Sequence, residues 1–398
     1  MVKIIVSFLL FFTCIVHAES QSRIFILHSY SQEYGWTKYQ HESFVSTLEH
    51  TYGSPLEFSV EYLDTKRHPF TESYQKEFVS YLQKKFEGYY PDAIYVTDDN
   101  ALKFFIAHRS ELFSNVPIFF SGINNLSLVH TLDKKSYTGV YESKNVVKNI
   151  ELIRQFSPQT RDIWFVGDDS STYKAIESDI RNQITQYPNY RFHFLSSPRI
   201  DDIVAKLPTA PKSFVLLTTI GGLCDATGRN LTLKESISTL EHNPHLILCS
   251  MEDTYVMDKV VGGFVTSGKQ QGKSAAELVK RYLEGEAVER IDPVIKSPNI
   301  YVFDQKALMQ ARLILSEYIA RDSVILHGKR TFFEQHQQAI LNGTFILFGV
   351  FLLYIVISFF MMLQKNSHIK NIGSELKECS DELSQVKEKL ALLEHPDE

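Results

Sequence analysis

Short apolar runs alternate with amphipathic stretches along most of the chain, and that alternation predicts its architecture. Runs at 23–28, 56–63, 93–97, 118–122, 162–167, 191–195, 213–218 and 245–249 have the length of strands. Helical periodicity falls between them, at 39–52, 70–86, 100–112, 146–156, 171–186 and 272–283. Strand, helix, strand at intervals of roughly 25–40 residues predicts parallel sheets covered by helices. About 300 residues is large for one such sheet, so two α/β lobes are expected.

The pattern changes at both ends. Lys3, an uncharged apolar run over 4–16 and then His17-Ala18 read as a secretory signal at 1–18, cleaved before Glu19. No charge occurs from 339 to 363. Those roughly 25 residues span about 37 Å as a helix, enough to cross a bilayer with some tilt. Lys365 and Lys370 follow directly, and together with the signal they place 19–338 outside the cytoplasm and the C-terminal tail inside. In the tail, Ile369, Ile372, Leu376, Cys379, Leu383, Val386, Leu390 and Leu393 recur at 3-4-3-4-3-4-3 spacing. One continuous apolar seam of about four heptads predicts a coiled coil over 364–398. In a parallel pair Glu382 meets Lys387 and Lys389 meets Glu394 across the seam, so a homodimer is expected, with higher states left open.

Composition narrows the functional classes. Against 47 Asp and Glu stand 41 Lys and Arg, a net −6 without a basic block, which argues against a nucleic-acid groove. Four scattered cysteines exclude a disulfide scaffold and a CxxC zinc pair. Cys224 and Cys249 share an oxidising compartment, and a disulfide between them stays open. The segment 268–274 looks like a phosphate loop, but three residues separate Gly268 from Gly272 where four are needed. No HExxH spacing and no GxSxG elbow occurs. No catalytic residue, metal or cofactor is therefore expected, and the chain does not read as an enzyme.

Chemistry gathers just after the strands, where open parallel sheets hold ligands. Tyr30, Tyr34 and Trp36 offer an aromatic wall. Asp98, Asp99, Glu142, Asp168, Asp225 and Glu252 offer carboxylates for an ammonium group. Ser29, Asn124, Thr218 and Thr219, with N–H groups at helix starts, suit a carboxylate. Tyr141 and Tyr173 complete the candidate set. An amino acid or related amine is the expected ligand. Asp99 and Ser171 each read first as helix caps, and the Asp64-Thr65-Lys66-Arg67 turn reads as an anion site or as a basic turn.

Several segments recur in a familiar order. They are His28-Ser29-Tyr30 with Trp36, the run 61–67, Pro91-Asp92, Thr97-Asp98-Asp99-Asn100-Ala101-Leu102, and 116–125. Asp225-Ala226-Thr227-Gly228, Val261-Gly262-Gly263 and a helix from Gly272 to Gly285-Glu286 follow. Over roughly residues 22–335 they resemble the periplasmic ABC-transporter substrate-binding-like domain found on bacterial sensor histidine kinases and diguanylate cyclases. The resemblance implies a type I periplasmic-binding-protein fold, two α/β lobes with crossovers and ligand in the cleft. It implies lobe 1 at about 19–127 and 250–290, lobe 2 at about 130–248 and 298–320, and a stalk at 321–338. Two features depart from the family. Leu-Ile-Leu-Cys-Ser-Met at 246–251 replaces a proline-led strand, and no phosphorylation box, ATP site or cyclase motif follows the apolar segment. The expectation is a membrane-anchored sensor that signals to a separate cytoplasmic kinase or cyclase. The alternatives are a tethered substrate-binding protein serving a permease and a truncated kinase.

Overall fold

The computed structural model describes residues 21–328 and 332–394; the expected signal at 1–18 lies outside them. The chain forms two compact units, one ending at Gly328 and the other beginning at Lys329.

In the first unit, β1 (Ser22–His28), β2 (Leu56–Tyr62), β3 (Ala93–Thr97), β4 (Ile118–Ile123) and β5 (Tyr137–Tyr141) make an all-parallel sheet in the order β2-β1-β3-β4-β5. The middle strands are apolar on both faces because helices cover both. Phe25, Leu27, Ile94, Val96, Ile118 and Phe120 face one cluster. The intervening Ile24, Ile26, Ala93, Tyr95 and Phe119 face the other. A second parallel sheet has the order β7-β6-β8-β9, from β6 (Asp162–Gly167), β7 (Arg191–Ser196), β8 (Ser213–Leu217) and β9 (Leu246–Ser250). It alternates likewise, with Ile163, Phe165, Phe214, Leu216, Ile247 and Cys249 on one face and Val166, Val215, Leu217 and Leu248 on the other. These sheets are the cores of lobes 1 and 2.

A third sheet joins β10 (Gly262–Val265), β11 (Ile300–Asp304) and β12 (Ser323–Leu326), with β10 antiparallel to β11 and β12 parallel to it. Val261 N–H to Leu248 O (2.8 Å) and Thr266 N–H to Met251 O (2.9 Å) stitch its edge to β9, so it extends lobe 2. Three features shift the expected lobe limits. β5 pairs with β4 and belongs to lobe 1, not to the lobe 2 expected over 130–248. The segment up to Val265 packs on lobe 2, not on the lobe 1 expected over 250–290. The expected stalk from 321 instead opens with β12. Strand pairing between neighbouring elements decides each of these, and local periodicity does not say which strand pairs with which.

The chain passes between lobes three times: after β5, after β10 and before β11. After the second passage the helix Gly268–Leu283 packs on the helix Gly35–Thr51 of lobe 1. It starts four residues before the expected position because Ser267 caps it, accepting from Gln270 N–H. The phosphate-loop look-alike is therefore its first turns. A Cβ on Gly272 would lie 2.2 Å from Gln40 O, so only glycine permits this close crossing. Cys224 and Cys249 are free thiols. Cys249 is buried in the core, where burial pushes its thiol up to about 12, and Cys224 donates to Pro198 O.

In the second unit a single helix, Phe332–Glu394, runs 63 residues, about 95 Å at 1.5 Å per residue. It contains a stretch long and apolar enough to cross a membrane. Thr344 Oγ1 donates to Ile340 O at 2.9 Å, which satisfies its hydroxyl inside the apolar run. The seam residues Ile369, Ile372, Leu376, Cys379, Leu383, Val386 and Leu390 are all exposed on the single chain. The side chain of Leu393 lies outside the described residues.

Replacing Gly272 by Val should force the two helices apart and destabilise the first unit by about 1–3 kcal/mol. A urea unfolding midpoint equal to wild type would contradict the close crossing.

Candidate functional site

The carboxyl ends of β1, β3 and β4 in lobe 1 face those of β6, β8 and β9 in lobe 2 across a cleft. Its walls carry Tyr30, Tyr34, Trp36, Lys66, Asp98 and Asn124 from lobe 1. Thr172, Ile176, Thr219 and Glu252 line it from lobe 2, and Glu142 lines it from the first passage between lobes. Only about 20 Å³ is free, room for about one water. Side chains fill the rest.

One of them is Lys66. Its ammonium lies 4.9 Å from the Tyr30 ring centroid, 5.6 Å from that of Tyr34 and 3.6 Å from Asp168 Oδ2 across the cleft. Two electron-rich faces and a carboxylate are the surroundings an ammonium group prefers. The carboxylate is itself held in place. Asp168 accepts from Gly222 N–H at 2.9 Å and from the Ser170 hydroxyl. Tyr34 makes a second cross-cleft contact. Its hydroxyl lies 3.3 Å from that of Tyr255, and a Cβ on Gly221 would come within 2.5 Å of it.

Asp98 forms the floor on the lobe 1 side. Its carboxylate accepts from Trp36 Nε1–H at 2.9 Å and from Gln40 Nε2–H at 3.4 Å. The residue sits in the left-handed region, φ 64, at the turn from β3 into the helix Asp98–Leu112. Gly122 faces it, and a Cβ there would lie 2.8 Å from Asp98 Oδ1. Burial first, then the Glu142 charge, holds the Asp98 carboxyl well above the usual carboxylate range. Burial, and next the same Asp98, pushes the Tyr30 hydroxyl up.

Behind the cleft lies Lys144, its side chain 1% exposed. It donates to Glu142 Oε1 at 2.8 Å, Glu252 Oε1 at 2.9 Å and Thr266 Oγ1 at 2.8 Å. Burial opposes its charge, but Glu142 and Glu252 prevail and raise its pKa above the ordinary value. Burial presses Glu252 upward even beside that ammonium. In all, four carboxyl groups (Asp98, Glu142, Asp168 and Glu252) face two ammonium groups (Lys66 and Lys144), an excess of acid suited to one further cation.

The architecture matches solved structures. A conserved domain protein from Vibrio cholerae O1 biovar El Tor superposes with a TM-score of 0.58 at 14% identity, covering 77% of this chain and 99% of that one. The ABC domain from Streptococcus pneumoniae, solved with L-Trp, gives 0.56 at 12% identity, with 77% and 100% covered. A ligand-free, open substrate-binding protein from Clostridium difficile gives 0.52 at 12% identity, again with 77% and 100% covered. No protein-family model and no curated protein matches the sequence. The fold is that of a type I periplasmic binding protein.

Within this binding-protein fold the expected site residues divide. Tyr30, Trp36, Asp98, Asn124, Glu142 and Glu252 meet on the cleft wall, and Asp168 stands behind Lys66. The others lie elsewhere. Ser29 is spent inside lobe 1, donating to Thr97 O and accepting from Ala101 N–H. Thr218 Oγ1 is bonded to Val166 O. Asp99 is no helix cap but faces Asn124 N–H and Asn125 N–H, each at 3.4 Å. Tyr141 packs on Phe120 in the lobe 1 core. Tyr173 is 1% exposed and packs against Gly167. Asp225 closes its own surface turn, bonded to Thr227 and Arg229. Ser170, rather than Ser171, caps the helix Ser171–Gln183.

Lys66, Lys144, Thr172 and Ile176 join the site without standing out in the sequence. Lys66 belongs to the turn that reads as an anion site or a basic turn, yet its charge goes to Asp168. Lys144 pairs with its neighbour Glu142, but its second carboxylate, Glu252, is 108 residues away and invisible to local spacing.

Because the folded pKa of Asp98 is raised, its neutral form stabilises the protein at low pH. That stability is lost as pH rises through the folded pKa. The variant Asp98→Asn keeps an acceptor for Trp36 and titrates nothing. Its melting temperature should exceed wild type's by a margin that widens from pH 4 to pH 8; a constant margin contradicts the raised pKa.

Proposed function

We propose that this chain is a membrane-anchored periplasmic sensor of a small amine-bearing molecule, an amino acid or a close relative, and that it acts by binding rather than by catalysis. The observation that carries this reading is the Lys66 ammonium, which already lies between Tyr30 and Tyr34 against Asp168 in a cleft with excess carboxylate. A ligand ammonium takes the same surroundings once the lobes open, and its own carboxylate meets Asn124, Thr219 and nearby N–H groups. Opening parts Lys66 from Asp168 and Tyr34 from Tyr255. Ligand shifts the equilibrium only by its differential affinity for the two states.

The apolar part of the long helix anchors the protein in the inner membrane with the lobes in the periplasm, and the heptads form a parallel homodimer in the cytoplasm. An apolar seam left on one chain favours pairing, since exposed apolar stripes of this length mark interfaces. The paired rod hands the change to a separate histidine kinase or cyclase. The likeness to substrate-binding proteins favours a second reading, a tethered receptor for a permease. Deleting 369–393 separates the two, because transport survives without the heptads and signalling does not.

Two measurements test the proposal on the full chain. The first is calorimetric titration with amino acids and simple amines for wild type and Lys66→Met. Removal of the resident ammonium should tighten amine binding roughly tenfold, about 1.4 kcal/mol; weaker binding in the variant would mean an anionic ligand. The second uses the native Cys379, an exposed thiol on the seam. Oxidation in membranes should link two chains through it, with a yield that changes when an amine ligand is added. If no dimer forms at any ligand concentration, the paired rod is wrong.

A further inference from the structure

At the opposite edge of the lobe 2 sheet, where β8 and β9 begin, a second pocket of about 540 Å³ opens to solvent. That volume lies within the range of small-molecule sites, roughly 300–1,000 Å³, and far exceeds the free space of the cleft. Four basic side chains line it: Lys212, His245, Lys259 and Arg312. None of the four forms an ion pair among the described residues. Glu241 is the one carboxylate on the wall, and it accepts from the Lys259 backbone N–H at 2.6 Å. With histidine neutral, three cations therefore face one anion. Beneath them the floor is apolar, made by Ile247, Leu248, Val261 and Ala307.

Two of the cations sit where another residue would be easier. Lys212 has φ 59 and Arg312 has φ 55, both in the left-handed region that glycine or asparagine enters at lower energy. Long basic side chains stand there nonetheless, on the rim of the same pocket. A ring of unpaired cations over an apolar floor matches a ligand with one anionic head and an apolar body. A guanidinium and two ammonium groups suit a phosphate or carboxylate head.

We propose that this pocket binds an anionic amphiphile, a phosphate or carboxylate group on a short apolar body, at a site separate from the inter-lobe cleft. The cleft is lined mainly by acidic and aromatic groups and would repel such a ligand. β9 runs from one site to the other, with Leu246–Leu248 at the pocket and Ser250 next to Glu252 of the cleft.

The test uses the full chain in phosphatidylcholine nanodiscs, with butyl phosphate, inorganic phosphate and butanol as probes in calorimetry. Butyl phosphate should bind at least about tenfold more tightly than inorganic phosphate, because only it covers the apolar floor, and butanol should give no heat. The paired substitution Lys259→Glu with Arg312→Glu should weaken butyl phosphate at least about tenfold and leave amine binding at the cleft unchanged. If that variant is poorly folded, Lys259→Gln with Arg312→Gln serves instead, and threefold weakening or more is expected on the order of one lost charge contact each. Repeating the titration in discs containing phosphatidylglycerol identifies the source. A lower apparent affinity there means that a bilayer lipid headgroup competes for the pocket, and an unchanged affinity means a soluble anion. Absence of butyl phosphate binding, equal affinity for inorganic phosphate, or full affinity in both variants overturns the proposal.

Discussion

A single buried ammonium group holds the two lobes to a common pivot. Lys144 has three N–H bonds to give, and each goes to a different segment: Glu142 on the first passage between lobes, Glu252 beyond the end of β9, and Thr266 at the second passage. An ammonium stripped of water and left unpaired would cost several kcal/mol, so the three segments are bound to remain together in any folded state. The third passage is tied to the first separately, through Asn299 Nδ2–H to Ser143 O at 2.9 Å. These bonds gather all three passages between the lobes at one point.

The pivot also sets the chemistry of the cleft. Lys144 satisfies two carboxylates with one positive charge, and both of those carboxylates reach the cleft wall. Asp98 adds a third carboxyl group that burial keeps from ionising easily, on a backbone turn in the left-handed region opposite Gly122. Strained, poorly solvated acids of this kind destabilise an empty protein and become favourable when a cation arrives. Lys66 is a partial remedy supplied by the chain itself, its ammonium lying against Asp168 across the cleft.

The long helix works by a different constraint. Its backbone is satisfied internally at every residue of the apolar stretch, the condition for crossing a bilayer. Beyond that stretch the helical repeat continues without a break into the heptads. The heptad seam lies exposed along the single chain. Hydrophobic burial around two sheets holds the lobes, whereas the long helix is held by its own backbone bonds.

Local pattern determined a great deal. Eight of the strands follow from short apolar runs, because strands buried on both faces are apolar throughout. Most of the helices follow from period-3.6 repetition, because a buried helix face repeats on the scale of a few residues. The uncharged run and the heptad seam are legible for the same reason, and so is the gathering of Tyr30, Trp36 and Asp98 after strands, since parallel strands put their carboxyl ends on one edge. Tertiary structure alone decided the remainder. β5 pairs with β4, and β12 completes the sheet of β11, through partners that no local period encodes. Ser29, Thr218 and Tyr141 carry the same residue types as a binding site but turn inward to backbone or core. Lys66 finds its counterion 102 residues away across the cleft, and Lys144 joins its neighbour Glu142 to Glu252, 108 residues away, an arrangement that exists only once the chain has folded.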